Sequence, residues 1–173
     1  LSYSQPVILE HDGAASDGAQ TAGGQSITIT GGSGTTANEK GWLKGTWGGG
    51  IFIQQGAAIT LDGVIITENT ADYGAGLGFP QASTGELVLT NTEISHNDAV
   101  LIGGGLYAGE GHLQEATWVH DNRAQYCAGF IVEFGDFTLD ALVLIEANHA
   151  TLYGGGGCVG SDASLTSGTV ESN

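Results

Sequence analysis

Short apolar runs recur along the chain, each after a cluster of small residues. Ile51-Phe52-Ile53, Leu77-Gly78-Phe79, Leu106-Tyr107-Ala108, Phe130-Ile131-Val132 and Cys158-Val159-Gly160 follow Gly48-Gly49-Gly50, Gly74-Ala75-Gly76, Gly103-Gly104-Gly105, Cys127-Ala128-Gly129 and Gly154 to Gly157. A second set alternates in the way of half-buried strands: Ile59-Thr60-Leu61, Leu87-Val88-Leu89, Leu113-Gln114-Glu115, Phe137-Thr138-Leu139 and Leu165-Thr166-Ser167. Ile27-Thr28-Ile29 reads as an earlier member of that set. A third apolar run leads each time into an asparagine. Runs this short, bounded by glycine, predict β-strands and leave no room for helices.

The third run carries the clearest phrase. Ile66-Thr67-Glu68-Asn69-Thr70-Ala71, Ile94-Ser95-His96-Asn97-Asp98-Ala99, Val119-His120-Asp121-Asn122-Arg123-Ala124 and Ile145-Glu146-Ala147-Asn148-His149-Ala150 share a β-branched residue, then Asn, then Ala. Val170-Glu171-Ser172-Asn173 begins a fifth copy, and Thr35-Thr36-Ala37-Asn38 reads as a degenerate earlier one. The asparagines fall at 38, 69, 97, 122, 148 and 173, in steps of 31, 28, 25, 26 and 25. The longest step holds an insertion at 39–47 with Trp42 and Trp47.

A period of about 26 residues marks a solenoid. Three short strands per period predict a right-handed, single-stranded parallel β-helix of about six coils, all-β throughout. Coils stack about 4.8 Å apart, so equivalent residues form columns. An inward Asn column of Asn69, Asn97, Asn122, Asn148 and Asn173 is expected to satisfy its amides from coil to coil, since an unpaired buried amide is costly. The glycines suit a tight bend with positive φ, and the Ala suits a crowded corner. The whole of 1–173 reads as one domain. Residues 1–26, with apolar Val7-Ile8-Leu9, are expected to cap the first coil, and 27–173 form the repeats.

The paired signals, [apolar]-x-x-Asn and Gly-Gly-x-[Ile/Leu], resemble the FxxN and GGAI repeats of chlamydial polymorphic outer-membrane proteins, and more broadly the pectin-lyase-like β-helix superfamily. The resemblance covers roughly residues 27–173. It implies a secreted or surface-displayed passenger segment, often adhesive.

Composition narrows the function. The 173 residues are 40% hydrophobic and 13% charged, with 19 acidic against 3 basic side chains and a net charge of −16. So few cations argue against nucleic-acid binding and against charge-driven docking on anionic membrane. No stretch is long and apolar enough for a membrane-spanning helix. There is no Met and no signal-peptide pattern, which reads as a processed chain or a piece of a longer one. Cys127 and Cys158 are too few for a disulfide framework. They read equally as a bridge, which would indicate an oxidising compartment, or as two free thiols.

Alternation leaves an apolar outward stripe. Phe52, Tyr107, Ile131 and Val159 on the first strand, with Ile65, Trp118 and Leu144 on the third, form a candidate interaction surface for neighbouring repeats, another subunit, or a surface glycan or protein. The second strand's outward column is read as Thr28, Thr60, Val88, Gln114, Thr138 and Thr166, a weak ice-binding pattern. Glu68, Asp98, Asp121, Glu146 and Glu171 gather at one corner as a solvated acidic edge, and they would repel an anionic polysaccharide. Neither paired carboxylates for glycoside hydrolysis nor a cationic lyase base stands out. The five histidines, His11, His96, His112, His120 and His149, lack metal-ligand spacing on one strand. Calcium would have only scattered carboxylates, without its glycine-rich repeat. The expectation is therefore an extracellular or cell-surface, structural or adhesive module that is not an enzyme and needs no cofactor. A self-assembling filament subunit, stacking by coil ends and the apolar flank, is the alternative. A polysaccharide-active, carbohydrate-binding or ice-binding solenoid ranks below it.

Overall fold

The computed structural model describes residues 2–3, 7–9, 27–36, 44–53, 57–79, 86–166 and 168–173. Among them there is no helix. The strands stack in parallel into a β-solenoid of about four turns, with a less regular stretch before it. Each regular turn has four short strands rather than three. The first-strand column is Ile51–Ile53, Leu77–Gly78, Leu106–Ala108, and the leading parts of Phe130–Leu139 and Gly157–Thr166. The second is Ile59–Asp62, Leu87–Thr90, Gly111–Gln114 and the trailing parts of the same two long strands. The third runs Ile27–Thr30, Val64–Thr67, Glu93–Ser95, Trp118–His120, Leu144–Glu146 and Thr169–Glu171. The fourth, between the Asn and the glycine cluster, is Thr70–Tyr73, Asp98–Ile102, Arg123–Tyr126 and His149–Tyr153.

Inward side chains of the first three columns form one continuous core, from Ile29 and Ile51 to Phe137, Val143 and Ile145. The fourth strand buries a column of small residues instead. Ala71, Ala99 and Ala124 pack with Ala75 and Ala128, with Ala150 at the margin. The Ala of the repeated phrase thus lets two backbone segments approach closely.

The Asn column forms as expected and explains why the two sequence motifs travel together. Each Nδ2 donates to the Oδ1 of the next Asn, at 2.9, 3.0, 3.0 and 3.0 Å from Asn69 through to Asn173. Each Oδ1 also accepts the backbone N–H of the preceding Asn, at 3.0–3.1 Å. The other Nδ2 proton goes to the carbonyl of Ile29, Ile66, Ile94, Val119 or Ile145 one coil back, at 2.9–3.1 Å. Asn69, Asn97, Asn122 and Asn148 are buried and fully paired. One glycine of each cluster lies against this amide. A Cβ on Gly50, Gly76, Gly105, Gly129 or Gly156 would sit 2.9–3.1 Å from the Nδ2 of Asn69, Asn97, Asn122, Asn148 or Asn173. The apolar-x-x-Asn and glycine-pair motifs are two sides of one contact.

Backbone conformation is shared as well. The residue before each Asn is left-handed: Glu68, His96, Asp121, Ala147 and Ser172 have φ of 52–56°. Glycine is not used there, although an L-residue carries a strain of about 1–2 kcal/mol in that region. At the bend before the first strand, Gly48, Gly74, Gly103 and Gly154 take positive φ, and Cys127 does so at 54°.

Several register expectations are corrected. Ile27–Thr30 pairs with Val64–Thr67 and so belongs to the third column, not the second. Gly31 takes the left-handed corner, and Gly32 the Asn place, its N–H donating 3.0 Å to Asn69 Oδ1. No side chain fits at Gly32, where a Cβ would lie 1.8 Å from the Gly49 carbonyl oxygen. Asn38, of the degenerate earlier copy, lies outside the described residues, as do Trp42 and His11. In the second column Gly111 stands opposite Leu87 and Phe137, so Leu113 aligns with Leu89. His112, not Gln114, therefore shares the outward place with Val88 and Thr138. In the first column Gly157 lies opposite Phe130, whose ring occupies its side-chain space. Cys158 consequently faces away from the core beside Ile131, and Val159 faces inward beside Val132.

Of the residues expected to cap the first coil, Ser2–Tyr3 pairs in parallel with Thr28–Ile29, and Val7–Leu9 with Ile51–Ile53. They extend two sheets; the rest of 1–26 lies outside the description. Of the insertion, Thr46–Trp47 returns as a strand beside Thr70–Tyr73 and runs antiparallel to Thr35–Thr36.

Candidate functional site

The outward apolar residues divide into two settings. Phe52 and Tyr107 are buried, against expectation, because Trp47 and Tyr73 cover them. Trp47 stacks on Tyr73 at 4.7 Å between ring centroids and meets Tyr107 edge-on at 4.9 Å. Ile131 is half-buried at the margin of this cluster. Asp72 fixes the covering strand, accepting from Thr46 N–H at 2.7 Å and from the Thr46 hydroxyl at 3.1 Å. Tyr107 donates its phenol to Glu133 at 2.5 Å. Burial, then that hydrogen bond and the Glu133 charge, push the Tyr107 phenol well above its ordinary range. Burial and Asp72 raise Tyr73 in the same direction. Beside this cluster Cys127 and Cys158 form a disulfide, with Cα atoms 5.3 Å apart, joining successive turns.

Val159 is 41% exposed although it faces inward, since it belongs to the last first-strand segment. On the third strand the expected column is observed. Ile65, Glu93, Trp118, Leu144 and Thr169 align in register on the outer face. Ile65 and Leu144 are half-buried, and Trp118 is exposed. Exposed apolar residues missed by the sequence reading, Val100, Leu152 and Tyr153, lie on the fourth strand. That strand had no place in a three-strand coil.

Next to the Trp118 column runs a polar one: Thr67, Ser95, His120, Glu146 and Glu171. Here the chemistry-bearing side chains of the third strand converge. The Trp118 and His120 rings stack at 3.6 Å. His120 Nδ1 lies 2.8 Å from Asp121 Oδ2, and Nε2 lies 3.3 Å from Glu93 Oε1. Ser95 donates to Glu93 Oε1 at 2.9 Å and contacts Thr67 Oγ1 at 3.2 Å. The His96 ring stands edge-on to His120 at 6.0 Å. Left-handed φ at His96 and Asp121 aims both side chains from the corner. A Ser, a His and an Asp are therefore neighbours, but the buried Ser95 hydroxyl is committed to Glu93 and Thr67. Its hydrogen bonds run to those two side chains rather than to His120. The second column's His112 contacts Thr138 and lies 3.1 Å from Glu86.

The remaining carboxylates of the expected acidic edge flank the Asn column. Glu68 and Asp121 immediately precede an Asn, Asp98 follows one, and Glu146 and Glu171 stand two residues before one. No three His, Cys, Asp or Glu side chains among the described residues converge on one point as they stand. No helix among the described residues is long and apolar enough to cross a membrane. No family model, curated protein or solved structure matches the chain.

Proposed function

We propose that this chain is an extracellular or surface-displayed structural module, a rigid β-solenoid spacer or adhesive segment without catalytic activity. The observation that carries the reading is the Cys127–Cys158 disulfide, which clamps one turn to the next. Such bridges persist in oxidising compartments and are rare where thiols are kept reduced. Three features support it. The Asn ladder gives a buried spine with every side-chain amide bonded from Asn69 to Asn148. The net charge of −16 favours solubility. The pairing of Asn and glycine motifs resembles that of polymorphic outer-membrane-protein passengers, and on that resemblance the module is one stretch of a surface protein.

The test is labelling of intact source cells with a membrane-impermeant reagent, followed by thiol alkylation without reductant. The reading expects a labelled protein whose two cysteines resist alkylation. A chain protected inside the cell with both thiols free would contradict it. Soluble products released from a polysaccharide panel, and lost in a Glu93→Gln variant, would contradict the non-catalytic part.

A further inference from the structure

We propose that the outer face of the fourth strands is a contact for a second copy of this chain, which packs there face to face across a two-fold axis. Val100, Leu152 and Tyr153 are 59%, 53% and 69% exposed. Val100 sits on Asp98–Ile102, which has a sheet neighbour on each side, Thr70–Tyr73 and Arg123–Tyr126. Its exposure therefore belongs to the face of the sheet and not to an edge. Single apolar residues on a surface are ordinary. These stand on successive turns about 4.8 Å apart, with Tyr126 on the turn between them. They also continue a covered column. Trp47, Tyr73, Ile102, Tyr126 and Tyr153 align in register. The first two are buried, the next two half-buried and the last exposed. A contiguous apolar stretch of this kind marks a contact.

Charge selects the occupant. The chain carries −16 overall, so two copies repel wherever their acidic faces meet. The strands Asp98–Ile102, Arg123–Tyr126 and His149–Tyr153 hold one carboxylate, Asp98, and one fixed cation, Arg123. Both are exposed, and neither takes part in an ion pair among the described residues. A strongly basic or strongly acidic partner finds no matching excess of charge on this face. A second copy does find a match. Asp98 and Arg123 are register partners on adjacent strands. A two-fold axis running along the strands between them lays each Arg123 opposite the partner's Asp98, so one self-complementary patch makes two ion pairs. The same axis lays the strand of Val100 against the strand that holds Tyr126, and Leu152 and Tyr153 against Thr70–Tyr73. Sheets packed in this way stand about 10 Å apart. The contact goes beyond the structural reading above, since a rigid spacer needs no second copy.

The full chain is followed by sedimentation velocity from micromolar to near-millimolar concentration, at about 0.15 M salt, where exposed charges more than about 8 Å apart are screened. The expected result is a reversible monomer–dimer equilibrium. Val100→Ser and Leu152→Ser should each raise the dissociation constant several-fold. Asp98→Arg and Arg123→Asp set like charges against each other across the axis, and each should raise it at least about tenfold. Mixing those two charge variants should restore a heterodimer, because each chain then supplies the sign the other lacks. Thermal unfolding of every variant alone serves as the folding control. A wild-type chain that stays monomeric at every concentration would overturn the proposal. So would a dimer that none of the four substitutions weakens, or two folded charge variants that stay apart on mixing.

Discussion

The amide of one buried asparagine carries several obligations at once. In Asn97 the Nδ2 donates to Asn122 Oδ1 and to the Ile66 carbonyl, while the Oδ1 accepts from Asn69 Nδ2 and Asn69 N–H. Asn97→Ala removes one side chain and strands several buried partners, each at about 1–3 kcal/mol. Urea unfolding of that variant should show a loss of about 3–5 kcal/mol, more than an ordinary surface substitution. The corner before each Asn makes the opposite prediction. Ala147 has φ of 53° and carries strain that glycine lacks, offset in part by glycine's greater freedom in the unfolded chain. Ala147→Gly should raise stability by about 0.5–1 kcal/mol in the same measurement. Tyr107 sets a pH dependence. Its phenol is raised above the ordinary value of 10.0 by burial and by Glu133. The folded state therefore keeps the proton after the unfolded chain would release it. The stabilisation is complete below pH 10 and is lost as pH rises from there towards the folded-state value. Stability measured from pH 8 to 11 should fall at the alkaline end, and Tyr107→Phe should flatten that fall.

At the scale of strands and corners, the glycine clusters are the tightest constraint. A Cβ at Gly76 would lie 2.4 Å from the Gly105 carbonyl oxygen and 3.0 Å from Asn97 Nδ2. Gly76→Ala should cost about 1–3 kcal/mol through overpacking. It should also disturb the Asn97 side-chain resonances, whereas Gly63→Ala meets nothing within 4 Å and acts only through its positive φ of 67°. The repeat was legible in the sequence because each coil repeats the same local physics: an apolar residue, an Asn and a glycine whose absent Cβ the Asn needs. Legibility failed where a coil substitutes one solution for another. Gly31-Gly32 replaces the residue–Asn corner, so Ile27–Thr30 was placed in the wrong column. Gly111 and Gly157 stand in core columns because Leu87 and Phe130 fill the space, and those glycines shifted two alignments. The fourth strand was missed because its buried face is alanine rather than large aliphatic residues. His120 with Asp121 and Glu93 was only half visible, since the contact joins adjacent coils and depends on the register and on the left-handed corner.

Over the whole molecule, coil stacking makes each turn depend on its neighbours, as in other solenoids. The disulfide acts at this scale. Cys127 and Cys158 enclose a sequence separation of 31 residues, for which loop-closure entropy gives about 3–4 kcal/mol. Reduction, or a Cys127→Ala/Cys158→Ala double variant, should lower stability by up to that amount. The loosened amide protection should concentrate in Cys127 to Thr166, because the earlier turns keep their own ladder and core. The aromatic cluster of Trp47, Tyr73, Phe52 and Tyr107 plays a similar part for the earlier turns by locking the returning strand onto them.

The central claim is that a continuous, buried asparagine ladder organises the solenoid and couples its two repeated motifs. Hydrogen exchange of the asparagine side-chain amides, followed residue by residue by NMR, tests it most directly. The account predicts that the Nδ2 protons of Asn69, Asn97, Asn122 and Asn148 exchange slowly and in concert with the core strands. Asn91, whose amide bridges Asp62 and Glu115 on the exposed edge, should exchange quickly in the same sample. Fast exchange at Asn97 and Asn122, indistinguishable from Asn91, would contradict it.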